Sequence, residues 1–145
     1  MAQVISVSSK SEISKLIATL TSKLGRKCLL LFVGEVGSGK TTVVSELCKS
    51  LGMEEVASPS FAIHHRYENH QGDSLDHVDL YRLKSEEDLE STGFWDLFSK
   101  ESGWIVVEWS DQLSKEVWPL YWPTYEIKFT KGEGESRRFE ISKVH

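Results

Sequence analysis

The segment Gly34-Glu35-Val36-Gly37-Ser38-Gly39-Lys40-Thr41 constrains this chain more than any other. It matches G-x-x-x-x-G-K-[ST] at every fixed position, the spacing of a loop that wraps phosphate groups. Its context agrees. Before it stand six unbroken apolar residues, Cys28-Leu29-Leu30-Leu31-Phe32-Val33, which predict a strand buried on both faces and therefore covered by helices. After it, Val43, Val44, Leu47 and Leu51 recur at helical spacing from Lys40 up to a closing Gly52. In such a strand, loop and helix, glycines let successive N–H groups turn inward and the helix adds its positive end. Glu35, Val36, Gly37, Ser38 and Gly39 are thus expected to line a phosphate cradle. Lys40 is expected to reach the β- and γ-phosphates, Thr41 to complete a magnesium shell, and Thr42 to contact the α-phosphate.

The chain has 145 residues, 39% hydrophobic and 27% charged, the composition of one ordinary globular domain spanning residues 1–145. Lys and Arg number 17 against 22 Asp and Glu, a net charge of −5, so no basic excess is present to hold a nucleic-acid backbone. Any RNA is expected to be held through a partner. No apolar run approaches the ~20 residues that span a bilayer, and Met1-Ala2-Gln3-Val4-Ile5-Ser6 lacks the features of a secretion signal. These features predict a cytoplasmic protein without a membrane partner. Cys28 and Cys48 lie in apolar segments without a CxxC pair and read as buried thiols.

Further elements follow from periodicity. Val4–Val7 reads as a first strand, and the serine-rich Ser8–Glu12 as the cap of a helix carrying Ile13, Leu16, Ile17, Leu20 and Leu24 and ended by Gly25. Ala62–Tyr67 and Leu75–Tyr81 form a hairpin around Asn69–Asp73, and Ser85–Leu89 opens an acidic helix. Trp104–Val107 is a second apolar strand, and Tyr125–Phe129 pairs with Arg138–Ile141 in a closing hairpin. The fold class is α/β: a phosphate-loop domain whose mixed sheet has parallel core strands, antiparallel additions and flanking helices.

A phosphate loop needs a carboxylate to anchor magnesium and a group to orient water. Glu108 ends the run Trp104–Val107 and should emerge at the carboxyl edge of the sheet, where ligands of open α/β sheets collect. Asp79 lies in Asp76-His77-Val78-Asp79-Leu80-Tyr81-Arg82, where alternation sets His77, Asp79 and Tyr81 opposite Val78 and Leu80. Either acid suits the water-orienting role. His64, His65, His70 and His145 lack zinc spacing and read as surface groups.

Taken in order, the loop Gly34–Thr42, Ser58-Pro59-Ser60-Phe61, His77-Val78-Asp79-Leu80-Tyr81-Arg82-Leu83 and Val107-Glu108-Trp109 resemble the signature of the TsaE family, over roughly residues 4 to 143. That resemblance implies a P-loop ATPase of bacterial tRNA threonylcarbamoyladenosine synthesis, with ATP and Mg2+ as cofactors. It implies two partner proteins, TsaB- and TsaD-like, which make and transfer a threonylcarbamoyl group onto the adenosine following the anticodon, and contact with tRNA that is indirect. ATP hydrolysis then serves repeated cycles of the partners. By the same resemblance Lys40, Thr41 and Thr42 bind phosphate and magnesium, Glu108 is the magnesium-side carboxylate, Asp79 acts near the γ-phosphate and Trp109 is the aromatic beside it. Ser11 corresponds to a region near the nucleotide. Ser60 stands where the family usually has threonine; it keeps the hydroxyl and loses the methyl.

All five tryptophans lie between Trp95 and Trp122. Trp118 and Trp122, beside Pro119 and Pro123, read either as packing over a sheet edge or as an anchor for a partner. Arg137 and Arg138 read as strand-edge charges or as phosphate contacts. No arginine finger stands out, so the lone chain is expected to turn over slowly, with Arg82 or a partner residue completing the site. The alternative activity is a small-molecule kinase with Asp79 as base, for which the chain leaves little length for acceptor-binding and lid segments.

Overall fold

In a computed structural model, residues 3–34, 38–56, 64–80, 94–108 and 118–144 are described. The strands are β1 (Gln3–Val7), β2 (Lys27–Gly34), β3 (Glu54–Val56), β4 (His64–Glu68), β5 (Ser74–Asp79), β6 (Gly103–Glu108), β7 (Thr124–Lys131) and β8 (Arg137–Lys143). The helices are α1 (Ser14–Lys23), entered through a 3-10 turn at Lys10–Ile13, and α2 (Lys40–Ser50); a second 3-10 turn covers Phe94–Ser99. Among the described residues the strands form one sheet in the order β1-β8-β7-β2-β6-β5-β4-β3. Pairings within β7, β2, β6 and β5 are parallel, and those of β8 with β7 and β1 and of β4 with β5 and β3 are antiparallel. The α/β class and the mixed sheet are those expected from the sequence.

Alternation along the central strands divides the core into two layers. Leu30 and Phe32 of β2, Val106 of β6 and Ile127 and Phe129 of β7 pack under Leu16, Ile17 and Leu20 of α1 and Val43, Val44 and Leu47 of α2. Leu29 and Leu31, Ile105 and Val107, and Val78 and Leu80 face the other way, onto Phe94, Leu97, Phe98, Trp118 and Trp122. Trp118 and Trp122 are fully buried, and the Trp122 indole donates to the Phe98 carbonyl at 3.1 Å, so both rings are core and not a partner anchor. Arg137 donates to the carbonyls of Gly134 and Ser136 and braces its own hairpin turn, while Arg138 is exposed.

Three local expectations are corrected. Helix α1 ends at Lys23 with Leu24 extended, so Gly25 is not its cap. At its start no serine side chain caps the turn; instead Glu12 reaches back to accept from the Ser8 N–H at 3.1 Å and from the Ser8 hydroxyl. His64 is not a surface group: it is buried on β4, its ring against the Asp76 carboxylate at 2.6 Å, whereas His65 and His70 are exposed. Cys28 and Cys48 are buried free thiols as expected, the latter pushed up to about 12 by burial. The proposed acidic helix at Ser85–Leu89 and His145 lie outside the described residues.

Candidate phosphate and carboxylate site

Strand β2 carries the chain to Gly34 at the carboxyl edge of the sheet, and α2 leaves from Gly39. Gly39 has φ +100°, a conformation only glycine adopts without strain, and no side chain caps the helix. The first helical bond runs from the Val43 N–H to the Gly39 carbonyl. The N–H groups of Lys40, Thr41 and Thr42 therefore face out of the helix end, where the dipole favours an anion. Gly34 is required for a different reason. A Cβ there would meet the Phe129 carbonyl oxygen and Cβ of β7 at 2.8 Å and the Ser38 hydroxyl at 3.0 Å.

Two polar groups stand at this end of the sheet. Lys40 is partly buried and donates its ammonium to the Gly34 carbonyl at 2.7 Å, so its charge folds back onto the end of β2. The Ser38 hydroxyl is buried with no hydrogen-bond partner among the described residues. A buried donor without an acceptor is costly, and a phosphate oxygen is the acceptor the motif's chemistry supplies. Thr41 is exposed on the first turn of α2 and Thr42 half-buried beside it.

The two acids reach the same end from adjacent strands. Parallel pairing sets Glu108 beside Phe32 of β2 on one side and Asp79 of β5 on the other. Alternation puts both side chains on the helix-covered face, the face Lys40 shares. Burial works to raise the Glu108 carboxyl. The His77 ring and the Lys40 ammonium, with the neighbouring Asp79 adding least, outweigh it and hold the group below the usual carboxylate range. Glu108 is therefore ionised at neutral pH. His77, buried on β5, brings Nε2 to 3.6 Å from Glu108 Oε2. The sequence singled out Glu108 and Asp79 but not His77, whose signal was its place two residues before Asp79 on a strand adjoining that of Glu108.

The donor set suits magnesium. It offers a hydroxyl and carboxylates, hard oxygens, and no group of three or more His, Cys, Asp or Glu among the described residues forms a complete cage. Magnesium characteristically keeps water and phosphate oxygens and takes only one or two carboxylates from the protein. Of the remaining expected site residues, Ser11 lies exposed on the 3-10 turn before α1, its hydroxyl against that of Ser9 at 2.7 Å. Glu35, Val36, Gly37, Ser60 and Trp109 lie outside the described residues.

A second polar cluster, which the sequence reading missed, sits on the opposite face. Asp76, 1% exposed, accepts from His64 and from Arg66 Nε (2.8 Å) through one oxygen and from Lys100 (2.8 Å) through the other. These partners outweigh the burial that would raise its carboxyl, and hold it far below the ordinary range.

No helix among the described residues is long and apolar enough to cross a membrane. Comparison with solved structures finds the crystal structure of YdiB from Bacillus subtilis similar in fold, with TM-score 0.71 and 23% identity, covering 100% of this chain and 87% of that one. Among curated relatives, the tRNA threonylcarbamoyladenosine biosynthesis protein TsaE of Nostoc sp. is 33% identical over 118 residues, 79% of this chain and 69% of the relative. The protein of the same name from Rickettsia conorii is 28% identical over 141 residues, 96% of this chain and 77% of that protein. The model of the family described as threonylcarbamoyl adenosine biosynthesis protein TsaE matches residues 7–139. With that match spanning nearly the whole chain, this protein belongs to the TsaE family of tRNA threonylcarbamoyladenosine biosynthesis.

Proposed function

We propose that this chain is a magnesium-dependent ATPase that drives turnover of the proteins adding threonylcarbamoyl to the adenosine next to the tRNA anticodon. The observation that carries the reading is the meeting of a folded-back lysine and two carboxyls on neighbouring parallel strands at one end of the sheet. The outward N–H groups of α2, the Ser38 hydroxyl and Lys40 would bind the triphosphate of ATP. On binding, the Lys40 ammonium exchanges the Gly34 carbonyl for phosphate oxygens and neutralises charge that grows in the transition state. Thr41 and Glu108 would hold magnesium, which would supply further charge neutralisation. Asp79 or Glu108 accepts a hydrogen bond from the attacking water and orients it toward the γ-phosphate.

The partners in this reading are TsaB- and TsaD-like proteins, with tRNA held through them. A net charge of −5 supports indirect contact, because a surplus of acids repels a phosphate backbone. Incubation with ATP and magnesium tests the activity: phosphate should be released to water, slowly by the lone chain and faster with the partners. Lys40→Ala should lower release on the order of 100-fold. Transfer to an added acceptor would favour the kinase alternative, and tight binding without turnover would make the protein a nucleotide switch.

A further inference from the structure

The ring of His77 is a polar group beside the two acids to which the proposed mechanism gives no task. It lies on β5 facing the same side as Asp79 and Glu108, and it is 8% exposed. Its register partner on β6 is Val106, so Glu108, two residues on, is its diagonal neighbour, within reach of a long side chain. Among the described residues Nε2 has no hydrogen-bond partner, and it stands 3.6 Å from Glu108 Oε2, just beyond bonding distance. On the other side the ring stacks against His65 of β4, centroids 6.2 Å apart and 28° between planes. His65 is in turn tied through Nδ1 to Glu55 of β3 at 3.2 Å. A row of side chains thus runs across four strands and ends on the site carboxylate.

We infer that His77 is a positioning residue, whose Nε2–H donates to Oε2 of Glu108 and so leaves the other carboxylate oxygen directed at the cation. The inference rests on the magnesium and ATP reading of the site. A buried ring nitrogen without another acceptor among the described residues gains a charge-assisted bond when the 3.6 Å gap closes. Fixing one oxygen also removes rotational freedom from the glutamate before the cation arrives. Partners of this type orient metal-ligating groups elsewhere, and losing them costs about 10- to 100-fold in metal affinity.

The test uses the full chain, with binding of a non-hydrolysable ATP analogue followed calorimetrically across a magnesium titration. His77→Leu should raise the half-saturating magnesium concentration about tenfold and leave analogue affinity without magnesium within about twofold. Gln and Asn variants separate positioning from packing. The Gln amide reaches the position of Nε2 and the Asn amide only that of Nδ1, so His77→Gln should recover most of the magnesium affinity and His77→Asn should not. Equal magnesium dependence in wild type and His77→Leu overturns the inference, as does equal behaviour of the Gln and Asn variants. Magnesium-independent binding by the wild type overturns the parent reading and the inference with it. Thermal unfolding of each variant identifies any that fails to fold, and the Gln and Asn pair, closest to histidine in polarity, then decides.

Discussion

At the scale of single residues, the proposed chemistry and the stability of the fold divide between two acids three positions apart on β5. Asp79 faces the helix layer beside Glu108, where the local charges are a lysine and a second carboxyl. Glu108→Gln and Asp79→Asn should separate their roles. The group that anchors magnesium should raise the magnesium requirement when neutralised, and the group that only orients water should lower single-turnover hydrolysis without moving that requirement. Asp76 faces the aromatic layer and carries three partners from β4 and the turn after Phe94–Ser99. Asp76→Asn strands Arg66 and Lys100 beside a neutral amide and should cost about 3 kcal/mol in urea unfolding at pH 7. Because the folded carboxyl is held low, its contribution is fully present above the unfolded value near ~3.9 and is lost as pH falls below it. The deficit of the variant should therefore persist from pH 5 to 8 and narrow toward pH 3.

At the scale of elements, patterns that depended on one strand were legible and those that depended on a neighbour were not. The unbroken run Cys28–Val33 announced β2, and alternation in His77-Val78-Asp79-Leu80 placed its side chains on the observed faces. Both hairpins formed where turn residues separate apolar segments. Strand β3 was invisible because Glu54-Glu55-Val56 has no apolar alternation; it exists as an edge paired to β4. His64 was read as a surface group because the partner that holds it, Asp76, lies on the next strand and not among its own neighbours in sequence. Gly34 illustrates the same limit. The motif specifies it, but the physical demand comes from Phe129 on β7. Gly34→Ala must separate β2 from a backbone carbonyl, so it should cost roughly 1–3 kcal/mol in thermal or denaturant unfolding and weaken nucleotide binding as well.

For the whole molecule, the sheet sorts tasks by edge and face. Its parallel centre presents the carboxyl ends of β2, β6 and β5 together, which brings Gly34, Asp79 and Glu108 to one rim although 74 positions separate Gly34 from Glu108 in the chain. The helices on one face support Lys40, and the aromatic layer on the other, with Trp118 and Trp122 at its centre, gives the sheet a second core. That layer answered the question the tryptophan concentration raised: the rings fill space between sheet and covering turn. The rim itself was foreseeable from motif spacing. Its finer wiring, with His77 against Glu108 and the Lys40 ammonium on the Gly34 carbonyl, needed the strand register.

The central claim is that loop, lysine and paired carboxyls serve one triphosphate. A crystal structure of the chain with a non-hydrolysable ATP analogue and magnesium tests it most directly. The account predicts the Lys40 ammonium released from Gly34 onto the β- and γ-phosphates, with Glu108 and Asp79 both bordering the terminal phosphate. An analogue bound elsewhere, or bound with Lys40 still on the Gly34 carbonyl and both acids remote from the phosphates, would contradict it.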